Sequence, residues 1–132
     1  MIRTLIIFFV GIFTISPLNA SSADIVDELS VYFKKGDFEN IAKKFASSVE
    51  ININNDENVY SKLQGEQILK DYFQKHSPQK STVHHKIDTN PNFKYCVLTL
   101  ITSKGEFRVS VTLKKSNNDF FITELSILPG KE

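Results

Sequence analysis

Glu106 to Lys115 reads EFRVSVTLKK and follows FKYCVLTLIT, Phe93 to Thr102, across a short link containing Lys104-Gly105. Phe107, Val109, Val111 and Leu113 alternate with Arg108, Ser110, Thr112 and Lys114. Period-two alternation marks a strand with one buried face. The preceding segment differs: Tyr95, Val97, Thr99 and Ile101 alternate with Cys96, Leu98 and Leu100, so both of its faces are largely apolar. Such a strand is normally covered on both sides. Lys80 to Asp88 supplies another strand upstream, turned at Asn90-Pro91-Asn92, and Phe120 to Leu128 supplies one downstream of Asn117-Asn118-Asp119. Four strands with short connections imply an antiparallel meander. In the last strand the apolar phase moves from Phe120 and Ile122 to Leu125 and Ile127, which implies a β-bulge near Thr123-Glu124.

Upstream the apolar period changes to 3.6. Ser61 to His76 predicts a helix opened by a Ser61/Gln64 capping box, with Gly65, Ile68, Leu69, Tyr72, Phe73 and His76 on one side. Glycine inside a helix is unfavourable by about 1 kcal/mol relative to alanine, so Gly65 implies something packed closely over it. Ser22 to Lys35 predicts another helix, capped by Ser21 or Ser22 and closed by Gly36. Asp37 caps a third, running to about Ala46. Val49 to Ile53 alternates as a strand, and Asn54 to Asn58 reads as a polar turn. The expected class is α+β: three N-terminal helices packed in a curved antiparallel sheet of one early strand plus the four-stranded meander.

The first twenty residues, MIRTLIIFFVGIFTISPLNA, have the form of a secretory signal: Arg3, an apolar run from Leu5 to Ile15, a break at Ser16-Pro17 and a small residue at Ala20. Export and cleavage after Ala20 are the expectation, leaving one domain over 21–132. A retained segment would instead tether the domain to a membrane. Arg3 lies in the signal, so the sixteen basic and fifteen acidic residues leave a formally neutral remainder. Neutrality argues against nucleic acid, whose phosphates demand a basic field. Cys96 is the single cysteine, so no internal disulfide can form.

The stretches FKKGDFENIAKKF, VYSKLQGEQILKDYF, LITSKGEFRVSVTLKK and FITELSIL resemble an uncharacterised family of exported bacterial proteins, domain of unknown function 4783. The order of elements resembles the nuclear transport factor 2-like (cystatin-like) group. The resemblance implies a cone, in which a curved sheet wraps the helices, and an export route. It implies no activity. Gly65 stands where the family pattern suggests alanine.

Candidate site residues follow from faces and chemistry. Tyr60 could line the mouth of the cone, with Tyr32, Tyr72 and His85 projecting into it. His85 shares a strand face with Val83 and Ile87 and is expected inward, with His84 and Lys86 outward. Adjacent strand residues diverge, so the histidine pair makes no metal site, and no cofactor motif is present. Cys96 in mid-strand reads as a small buried hydrophobe. The doubly apolar strand suggests an interface through Cys96, Leu98 and Leu100, joined by Arg108, the one arginine beyond the signal. The expected function is a non-enzymatic exported binding domain, holding a second copy through the sheet face, an envelope protein or a small apolar ligand. The alternative is an isomerase- or dehydratase-like enzyme with His85 as base, aided by Tyr60 or Tyr95.

Overall fold

The structure is a computed structural model that describes residues 24–130; the expected signal, 1–20, lies outside them. Two helices come first, α1 (Ile25–Lys35) and α2 (Phe38–Lys43). The α1 cap is Asp24, whose carboxylate accepts from the Val26 N–H, so the helix starts later than the serines suggest. Gly36 closes it at φ 64, a left-handed turn that glycine adopts without strain. Asp37 caps α2 by accepting from the Asn40 N–H.

The second helix stops at Lys43, short of the expected Ala46, and the chain passes directly into β1 (Phe45–Ile53). Asn54 and Asn55, both at positive φ, then make a tight turn into β2 (Asp56–Ser61), so a strand occupies most of the stretch expected to be a turn. Two consecutive left-handed asparagines suit the type I′ hairpin, whose twist matches its flanking strands. Ser61 ends β2 and caps α3 (Lys62–Lys75), with both halves of the capping box formed. The meander follows as β3 (Pro78–Asn90), β4 (Phe93–Thr102), β5 (Gly105–Ser116) and β6 (Asp119–Pro129).

All six strands form one sheet in the order β2-β1-β6-β5-β4-β3. The sheet is mixed rather than antiparallel throughout, because β1 pairs parallel to β6. The early strand is thus a hairpin, and α3 follows two strands instead of joining an N-terminal helical block. The anticipated bulge is present: Thr112 pairs with Glu124 and Leu113 with Ile122, leaving Thr123 as the extra residue.

α1 lies against β3 and β4, and α3 against β1 and β2. Between helices and sheet sit Leu29, Phe33, Ile41, Phe45, Leu69, Leu98, Val111 and Leu125, all essentially inaccessible. Gly65 is where the packing is tightest: a Cβ there would lie 2.8 Å from Phe45 Cε2 and 3.2 Å from Ile51 Cδ1.

Candidate functional site

Strand register assigns each meander residue to a face. Cys96, Leu98 and Leu100 pair with Val111, Val109 and Phe107, and all six are buried beneath the helices. The expected interface of Cys96, Leu98 and Leu100 is therefore corrected: these side chains are spent on the chain's own core. Burial pushes the Cys96 thiol up to about 12, keeping it protonated. Their neighbours Tyr95, Val97, Thr99 and Ile101 hold the outer face, and Val97 is only 5% exposed there. Arg108 is on this outer face, opposite Thr99 and Leu128, and among the described residues it makes no ion pair.

His85 is also corrected. Val83 pairs with Leu98 but His85 pairs with Val97, so β3 slips by one residue at His84. The slip turns His85 to the outer face, where it is exposed, and brings Lys86 opposite Cys96. The arrangement needed for proton abstraction, His85 at the end of an inner cavity, is not formed. Lys86 instead pairs with Asp24 at the start of α1, and Lys94 approaches the same carboxylate at 3.9 Å. Burial alone would raise the Asp24 carboxyl, but the bonds from Lys86 and the Val26 N–H and the charges of both lysines hold it below its ordinary value.

The tyrosines do not converge with His85 on one mouth. Tyr32 is half-buried against the core. Tyr60 and Tyr72 line two adjoining hollows along α3, of about 420 and 460 Å³, which share Gln67 and Ile68. Tyr72 stacks on His76 at 4.2 Å and meets Phe107 edge-on, and its hydroxyl is buried without a partner. Burial pushes that phenol above its ordinary value.

The polar chemistry gathers on the outer face. Pairing across all six strands sets two adjacent outward rows. The first reads Glu57, Asn52, Ser126, Ser110, Val97, His85, and the second reads Val59, Glu50, Glu124, Thr112, Tyr95, Ile87, from β2 to β3. Glu57 to Ser110 of the first row and Glu50 to Tyr95 of the second line a hollow of about 330 Å³ that gathers Glu50, Glu57 and Glu124. Thr112 Oγ1 donates to Glu124 Oε2 at 3.2 Å, while Asn52 Oδ1 is buried with no partner. Such unpaired oxygens are uncommon in folded proteins. A hydrogen bond to Glu57, then the charges of Glu57 and Glu124, raise the Glu50 carboxyl above its ordinary value. The alternation of Val49 to Ile53 puts Glu50 and Asn52 on one face, but the three-acid cluster is not legible in it, because Glu57 lies on the strand that reads as a turn.

A raised carboxylate binds its proton more tightly folded than unfolded, so Glu50 weakens the fold above its raised value and ceases to do so as pH falls through it. Glu50→Gln is therefore expected to raise the melting temperature at pH 7, with the gain disappearing in acid below the ordinary glutamate value, about 4.3. Thermal melts across pH 3.5–8 measure this, and a constant offset between the two proteins would contradict it.

The sequence profile of the domain of unknown function DUF4783 matches residues 26–127. A DUF4783 protein from Bacteroides uniformis is similar in structure, with 22% identity and a TM-score of 0.78 over 83% of this chain and 100% of that one. A cystatin-like domain of unknown function from Nostoc punctiforme shares the shape at 10% identity, TM-score 0.64, covering 81% and 74%. A protein designed on the nuclear transport factor 2 shape does so at 10% identity, TM-score 0.60, covering 78% and 92%. Among functionally curated proteins no relative matches. These likenesses give the α+β fold of the cystatin-like and nuclear transport factor 2-like group.

Proposed function

The chain belongs to the DUF4783 family, and from that premise we propose that it is an exported, non-enzymatic interaction domain that works through the outer face of its sheet. The family carries no assigned activity, so the reading rests on this chain's geometry. The observation that carries it is the distribution of chemistry between the two faces. The inner space is occupied by the phenylalanines and aliphatic residues of the core. The outer face holds His85, Arg108 and the three acids. Groups that can pair with a partner are thus on the side the helices leave open.

A second reading has its own support. The hollow lined by Tyr60, Leu63, Gln64, Gln67 and Ile68 is mostly apolar, and Leu63 is 69% exposed beside it. An apolar ligand or chain segment would fit there. A photo-cross-linking residue placed at Thr99, Leu63 or, as control, Val31 separates the readings in the exporting cell. Discrete adducts at Thr99 alone support the outer face, and adducts at Leu63 alone transfer the function to the α3 hollow. Intact mass of the cross-linked chain tests export as well: a start at Ser21 is expected, and a start at Met1 would make it a tethered domain.

A further inference from the structure

We propose that the outer face binds a second copy of this chain, about a two-fold axis running along the strands between β6 and β5. This rests on the outer-face reading above and names its partner. The inference comes from the register rows. An axis on the midline of a six-stranded sheet lays each row against its own reverse. In the second row, Val59 then meets Ile87 of the second copy, Glu50 meets Tyr95, and Glu124 meets Thr112. In the first row Glu57 meets His85 and Ser126 meets Ser110, while Asn52 against Val97 is the one mismatched position.

Val59 and Ile87 are two of the chain's exposed large apolar residues, at 67% and 41% exposure, and they sit at opposite ends of one row. A reversed copy covers both at once. The same reversal sets the acidic half (Glu50, Glu57, Glu124) against the half that carries His84, His85 and Arg108, with Glu106 beside Arg108. A two-fold axis across the strands would do the opposite. It would keep β2, β1 and β6 over their own copies and so set the acidic half against itself, a like-charge juxtaposition that opposes docking.

The two full rows reach every strand from β2 to β3, and one step along the strands Leu128, Arg108, Thr99 and Thr82 extend the face over four of them. Aligned sheets packed about 10 Å apart have room for one layer of side chains from each copy.

The test uses Val59→Lys and Ile87→Glu, two exposed sites whose replacement leaves the core untouched, with circular dichroism to verify the fold. Sedimentation equilibrium of the exported chain is expected to show a monomer–dimer balance. Each variant alone is expected to weaken it at least about tenfold, since a charge then faces an apolar residue at both ends of the row. An equimolar mixture of the two is expected to regain dimer. In that hybrid one end pairs Lys with Glu and the other keeps Val59 against Ile87. A wild-type chain that stays monomeric, dimers indifferent to both variants, or a mixture that stays apart would each overturn the inference. If the chain is monomeric while Thr99 still cross-links to a different protein, the second copy is wrong and the outer-face reading stands. If Thr99 captures nothing as well, both fall.

Discussion

Phe45→Ala is expected to remove about 3–5 kcal/mol of folding stability, the range for deleting a fully buried aromatic side chain. Phe45 is the first residue of β1 and is essentially inaccessible, with its ring against the Gly65 backbone of α3. It joins the one parallel strand pair of the sheet to the helix that covers it. The same contact dictates the sign of a second change. Gly65→Ala adds helix propensity worth up to about 1 kcal/mol. It also drives a methyl group to 2.8 Å from a ring that is packed on all sides. Overpacking of that kind is unfavourable by about 1–3 kcal/mol, so Gly65→Ala is expected to destabilise the native chain. In the Phe45→Ala background the ring is gone and only the propensity gain remains, so there Gly65→Ala is expected to stabilise. Urea denaturation of the four proteins measures the cycle. Equal effects of Gly65→Ala in both backgrounds would show that the ring does not set the need for glycine.

Leu98→Ala is the second large effect expected, about 2–5 kcal/mol of lost stability. Its neighbour Thr99→Ala is expected to change stability by less than about 1 kcal/mol, since only the first of the pair lies beneath the helices. The comparison tests the assignment of faces on β4 without reference to any partner. A larger loss at Thr99 than at Leu98 would invert the strand and with it the outer-face account.

The places where the fold departs from the local sequence pattern have a common physical origin. A bulge can be detected when apolar residues stand on both sides of it. Ile122 and Leu125 bracket Thr123 in β6, so the change of parity was visible and the bulge lies where it was expected. The slip in β3 falls at His84-His85, and imidazoles prefer neither face strongly. Nothing in the local pattern marks the phase change, so strict period two carries His85 inward and Lys86 outward, the reverse of the pairing in the sheet. The same limit hid β2. Its six residues are exposed or only partly covered, and an edge strand made of Asp, Glu, Asn, Val, Tyr and Ser has no buried face to impose alternation. The paired asparagines at 54 and 55 were the signal available, read as part of a longer turn. Missing β2 also concealed Glu57, and with it the acid cluster. The parallel pairing of β1 with β6 joins segments more than seventy residues apart, a contact that local periodicity does not encode. Caps and close packing are local, and apart from the Asp24 cap of α1 they are legible: Gly36, Asp37, Ser61 with Gln64, and Gly65 all act as their positions suggest.

The rate of thiol modification, measured against protein concentration, reaches both faces of β4 at once. The native Cys96 thiol is expected to stay unmodified in the folded chain at every concentration. A thiol introduced by Thr99→Cys is expected to react readily in dilute solution and to become protected as the protein is concentrated. Rapid modification of Cys96, or an introduced thiol equally reactive at all concentrations, would contradict a closed inner face and a self-binding outer one.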